Sequence, residues 1–121
     1  MRRILVFTVL VVSFVSSCTY NSIEDLDPSG CDTTGVTYSG YVEPLISESC
    51  AYAGCHLGNF AAAQLDLSEY DQVKSVVDNG KLQDRINRAA GDPLLMPSTG
   101  KLAPCQITKI EAWIEAGAQE N

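Results

Sequence analysis

The stretch that most constrains this chain is Cys50-Ala51-Tyr52-Ala53-Gly54-Cys55-His56. Two cysteines with a histidine directly after the second form the attachment signature of a covalent haem, usually spaced C-x-x-C-H. Here four residues separate the thiols. The chemistry sets which part of the spacing must be strict. Each thiol adds to a vinyl group on one edge of the porphyrin, and the histidine ring must stand under the iron, so Cys55 and His56 have to be adjacent. Cys50 needs only to reach the neighbouring vinyl. A longer loop does this if the backbone bulges, with Gly54 free to take positive φ at the bulge. Two other readings compete at this point. One is a Cys50–Cys55 disulfide in an oxidising compartment; the other is a zinc site, which two thiolates and one imidazole leave one ligand short.

The N-terminus gives an address. Arg2 and Arg3 precede an apolar run over residues 4–15, followed by Ser16-Ser17-Cys18. A basic start, a short apolar stretch and small residues before a cut are the parts of a secretory signal, and the run is too short for a comfortable membrane span. Val15-Ser16-Ser17-Cys18 resembles a bacterial lipobox, which predicts a lipoprotein signal over residues 1–17 and lipid on Cys18. An ordinary cleaved signal beside a stray cysteine is the competing reading. The expected location is the bacterial cell envelope, as an outer-membrane lipoprotein facing the periplasm or the outside, since Thr19 is not the aspartate of an inner-membrane retention mark.

Removing residues 1–17 takes away two arginines and no acids. Six bases then stand against 15 acids, a net of −9. Such a balance argues against nucleic acid and against a basic grip on anionic lipid, so acyl chains would make the attachment. An acidic carrier would be steered towards a redox partner with a basic docking surface, and salt would weaken the encounter. Of the five cysteines, lipid takes one and haem takes two. Cys31 and Cys105 remain as an even pair, expected as a disulfide.

Residues 18–36 are polar and broken by Pro28, Gly30 and Gly35, which reads as a flexible tether ahead of a domain over residues 37–121. The first helix is expected to begin near residues 40–42, with Pro44 in its opening turn. Val42, Leu45, Ile46 and Ser49 share one face, and the helix delivers Cys50. Gly58-Asn59 marks a turn, and Leu65 and Leu67 alternate in a short extended piece. Ser68 is the expected N-cap of a second helix with the inner stripe Val73, Val76 and Val77, ended by Asn79-Gly80. Residues 81–90 fit a helix, a loop or a strand. Residues 91–102 read as a loop, and Pro104 opens a last helix that buries Ile107, Ile110, Trp113 and Ile114 and stops at Gly117.

Once the signal is gone, His56 and Met96 are the sole residues of their types. Met96 stands before Pro97 in the loop, where a stiff backbone suits a thioether presented to iron better than a gap-filling core methionine. A methionine sulfur opposite histidine raises the reduction potential of haem iron. With a helix ending in Cys50-x-x-x-x-Cys55-His56, a Met96-Pro97 loop and a last helix reading Ile110-Glu111-Ala112-Trp113-Ile114-Glu115-Ala116-Gly117-Ala118, residues 36–118 resemble a class I c-type cytochrome. The nearest likeness is to the Planctomycete-type branch and similar bacterial lipoproteins. The four-residue gap departs from the common motif, although some multihaem cytochromes share it.

The resemblance implies an all-α, cytochrome c-like domain in which the first and last helices cross beside a covalent haem c. It implies electron transfer without enzymatic turnover, with Cys50 and Cys55 holding the porphyrin and His56 and Met96 as axial ligands. Leu94, Leu95 and Trp113 are expected to line the pocket. Arg85 and Arg88 are candidates to face the propionates, against the blander reading of solvated arginines. A domain with few large aromatics is marginal on area alone, and a buried porphyrin would supply apolar mass. Two other functions stay open: a haem sensor or peroxidatic protein with a labile Met96, and a haem-free binding lipoprotein stapled by disulfides.

Overall fold

The computed structural model describes residues 30–121. The signal 1–17, the Cys18 lipid site and most of the tether fall outside the described residues. Of the tether, residues 30–36 are described and are fastened to the domain. Cys31 is joined to Cys105, with Cα atoms 5.5 Å apart, and Val36 packs against the core.

Thr37 opens the first helical segment, its Oγ1 accepting the Gly40 N–H at 3.1 Å and so satisfying a donor that the helix start leaves unpaired. A π-helical turn, Tyr38–Val42, runs directly into α1, Glu43–Ser49. Pro44 falls in the first turn of α1, where a missing N–H costs nothing. Val42, Leu45 and Ile46 are buried along one side, and Cys50 caps the C-terminal end.

Helix α2 spans Tyr70–Asp78 and buries Val73, Val76 and Val77. Its start corrects one expectation: Glu69, not Ser68, holds the N-cap position, and no side chain caps the helix. Ser68 is committed elsewhere, donating its hydroxyl and its N–H to Asp66 Oδ1 at 2.6 and 3.1 Å. Asn79 caps α2, and Gly80, at φ +73°, turns the chain straight into α3, Lys81–Asn87. A β-carbon is strained at that φ, which makes glycine the natural pivot. The ambiguous stretch 81–90 is thus helical over Lys81–Asn87, with Leu82 and Ile86 inward, and leaves the helix at Arg88.

Residues 91–102 form a loop containing a cis Met96–Pro97 peptide. Helix α4, Pro104–Glu115, begins with proline as expected, and Gln106 reaches back to accept the Ala103 N–H at 2.9 Å. Cys105, Ile107, Ile110 and Trp113 are buried along it, while Ile114 is half-buried. Among the described residues every regular element is helical, so the domain is all-α.

The helices meet around Trp113, which is 1% exposed. The Tyr38 ring lies 5.6 Å from Trp113 and 5.0 Å from Tyr70, the latter edge-on. Both polar tips are satisfied: Trp113 Nε1 donates to the Gln119 carbonyl at 2.9 Å and Tyr70 to the Ala118 carbonyl at 2.8 Å. Helix α4 packs on the Tyr38–Val42 turn and on α3. The segment after α4 returns to the first helix, where Asn121 accepts N–H groups of Tyr38 and Ser39, both at 2.9 Å.

Candidate functional site

Helix α1 ends with two N–H groups, those of Cys50 and Ala51, sharing the Ile46 carbonyl at 2.8 Å each. The chain then bulges and returns. Cys55 N–H donates to the Tyr52 carbonyl at 2.9 Å, and His56 N–H closes the loop on the Cys50 carbonyl at 3.1 Å. Gly54 sits at φ +87° inside this turn, the conformation for which a residue without a β-carbon is suited. The result brings Cys50 and Cys55 together as neighbouring half-buried thiols that are not bonded to each other. Burial, and then the neighbouring Cys55, pushes the Cys50 thiol up to about 11. The Cys55 thiol also raises the Tyr52 phenol, which the Thr99 side chain pulls the other way.

His56 is held from one side. Its Nδ1 lies 3.1 Å from the Ala62 carbonyl and 3.2 Å from the Leu65 carbonyl. Carbonyl oxygens only accept, so Nδ1 carries the proton and Nε2 is left as the nitrogen with a lone pair to offer. A backbone carbonyl on one ring nitrogen is the usual way to fix the tautomer and aim of a metal-binding histidine. The two carbonyls come from the turn after the motif, in which Ala63 and Gln64 have φ of 58° and 57°. Ala62 N–H to the Cys55 carbonyl (2.7 Å) and Leu67 N–H to the His56 carbonyl (2.9 Å) fasten that turn to the motif. Sequence reasoning does not find Ala62 and Leu65, because they act through main-chain atoms.

The Met96 loop adjoins the attachment loop. Tyr52, Pro97, Thr99 and Leu102 line a groove of about 380 Å³ between them. Met96 itself is half-buried, Leu95 buried and Leu94 exposed. Trp113 stands in the core against Tyr38. Arg85 and Arg88 form ion pairs, Arg85 with Asp84 and Arg88 with both Asp84 (2.9 Å) and Asp92 (3.1 Å). The large exposed hydrophobic side chains among the described residues are Leu57, Phe60 and Leu94. Each lies within four positions of His56 or Met96 in the chain. Among the described residues no three His, Cys, Asp or Glu side chains are grouped to hold a metal ion, and no helix is long and apolar enough to cross a membrane.

No family model, no curated protein and no solved structure matches this chain.

Proposed function

We propose that this protein transfers electrons through a covalently attached haem c, bound at Cys50 and Cys55, with His56 and Met96 as axial ligands. The observation that carries the proposal is the setting of His56. Two main-chain carbonyls fix its Nδ1, at 3.1 and 3.2 Å, and leave its Nε2 free, in the residue directly after the second of two unbonded thiols. A bound haem supplies a reversible one-electron couple at its iron, with potential set by the axial ligands and the polarity around them.

Every other part is played by this chain. The fixed His56 ring needs no reorientation to bind a metal. The four-residue gap turns back on itself through the His56–Cys50 hydrogen bond, so the longer spacing still leaves the thiols adjacent. Leu57, Phe60 and Leu94 offer apolar area that the protein core leaves uncovered, an area suited to a flat apolar group. The packing of Tyr38 on Trp113 supports a crossing of the first and last helical segments in the cytochrome manner. The acidic surface favours a basic redox partner, and acylation of Cys18 would hold the carrier at a bacterial envelope membrane.

The test is the absorption spectrum of full-length protein matured in a bacterial periplasm. Sharp ferrous c-type bands with a methionine–iron charge-transfer band are the expected result. High-spin bands would point to a sensor or peroxidatic protein, and protein without visible absorption would overturn the proposal.

A further inference from the structure

The loop carrying Met96 is gripped on both sides by the C-terminal end of α3. The Met96 N–H donates to the Arg85 carbonyl at 3.1 Å. Five residues later, Lys101 Nζ donates to the carbonyls of Asn87 and Arg88 at 3.1 and 2.7 Å. Before Met96, Arg88 bridges Asp84 of the helix to Asp92 of the loop. Asp92 in turn accepts the Leu94 N–H on Oδ1 at 2.7 Å and the Leu95 N–H on its carbonyl at 3.0 Å. Helix α3 is itself tied to α4 by Asn87 Nδ2 on Glu111 Oε1 at 2.8 Å. The choice of groups follows from the helix end. Its last carbonyls have no partner within the helix, and its dipole favours cations there.

From these contacts we infer that Arg88 and Lys101 are positioning residues that hold the Met96 thioether at a fixed place. The role in ligation rests on the haem reading above; the hold itself rests on the hydrogen bonds alone. The hydrogen bonds of the Arg88 and Lys101 side chains run to carboxylates and main-chain carbonyls. Each fixes one arm of the loop, so removal of either enlarges the set of places the sulfur visits. A competing ligand can enter only when the sulfur is away, and its apparent affinity rises in proportion to that open fraction. Charge-assisted hydrogen bonds are the stronger kind, and exposure to solvent weakens these, which sets the expected change at about tenfold.

Two arms test the inference on the full chain. In the haem-loaded ferric protein, Lys101→Met and Arg88→Met should each raise imidazole affinity about tenfold, the equivalent of about 1.4 kcal/mol. They should also weaken the methionine–iron band while covalent haem and helical circular dichroism stay unchanged. Lys101→Arg, which still presents donors to the two carbonyls, should restore the band. Lys81→Met, at the opposite end of α3, should match wild type. Unchanged imidazole affinity and band strength in Lys101→Met and Arg88→Met would overturn the positioning role. The second arm reads hydrogen exchange at the Met96 amide in protein as isolated, with or without haem. Protection should fall about tenfold in both methionine variants, and unaltered protection would overturn the hold. A wild-type chain that carries no haem defeats the functional proposal alone, and the exchange arm then decides this one.

Discussion

Removing the Cys31–Cys105 bridge tests the architecture most directly, because its effect can be calculated before it is measured. The two residues are 74 positions apart, so the bridge closes most of the described chain into one ring. Restricting the unfolded ensemble by a loop of that length is worth about 4 kcal/mol on chain entropy. Cys105 is wholly buried, and Cys31→Ala/Cys105→Ala removes a small apolar contact as well, adding about 1 kcal/mol. Set against a typical total of roughly 5–15 kcal/mol for a domain, the double variant should be near the limit of folding. The melting temperature should drop by roughly 20 °C, at several degrees per kcal/mol for a domain of this size. Urea titration followed by circular dichroism gives the free energy, and its slope gives a second reading. Without the crosslink the unfolded chain exposes more surface, so the m-value should rise along with the fall in midpoint. The measurement should use haem-loaded and haem-free protein side by side, since a covalent porphyrin already restricts residues 50–56 and reduces the entropic share. A loss below about 1 kcal/mol with an unchanged slope, in both forms, would refute the reasoning.

Other outcomes are equally definite. His56→Ala should abolish low-spin haem, whereas Met96→Ala should keep the covalent attachment and leave iron open to water; an unchanged spectrum and potential in Met96→Ala would remove Met96 from the ligand set. Cys18→Ala should release the protein from membranes without altering its spectrum, and detergent phase partitioning identical to wild type would defeat the lipid anchor. In haem-free, reduced protein the Cys50 thiol titrates at about 11 when folded against 9.0 for an ordinary thiol. A raised value means that folding favours the protonated form, so this contribution is intact below pH 9 and is lost as pH climbs towards 11, a total of about 2–3 kcal/mol. Cys50→Ala should flatten that part of the stability–pH curve, and a curve as steep as the parent's would show that burial of Cys50 is not its cause.

Much of the fold was legible in the residues. The Val73, Val76 and Val77 stripe with Asn79-Gly80 behind it specifies α2 by apolar spacing and by a glycine that accepts positive φ, and Pro104 marks the start of α4. What failed had local causes. Ser68 looks like an N-cap until Asp66 takes both its hydroxyl and its N–H, a competition that one-dimensional spacing cannot resolve. Residues 81–90 were ambiguous because seven helical residues hold a single apolar repeat, Leu82 to Ile86, too little for periodicity to separate helix from strand. At the candidate site the cysteines and histidine announce themselves by adjacency. The carbonyls that orient His56 belong to Ala62 and Leu65, where side-chain identity carries no signal. Arg88 reads only as a propionate candidate or a solvated arginine, and no motif marks Lys101, until α3 is seen to end beside them.

The contacts that close this domain join residues made early to residues made late. Cys31 waits for Cys105, Tyr38 for Trp113, Tyr70 for Ala118, and Ser39 for Asn121. A chain synthesised N-terminus first therefore carries its first helical segment, and the 50–56 loop, through most of its synthesis without the partners that bury them. Such distant pairings also fold slowly, because loop closure has to precede any gain from contact. During that interval Cys50 lacks the burial that later suppresses its ionisation, and its thiol is as available as any in an unfolded chain. Chemistry on the two thiols thus has a natural window before closure, after which both stand half-buried in the finished domain.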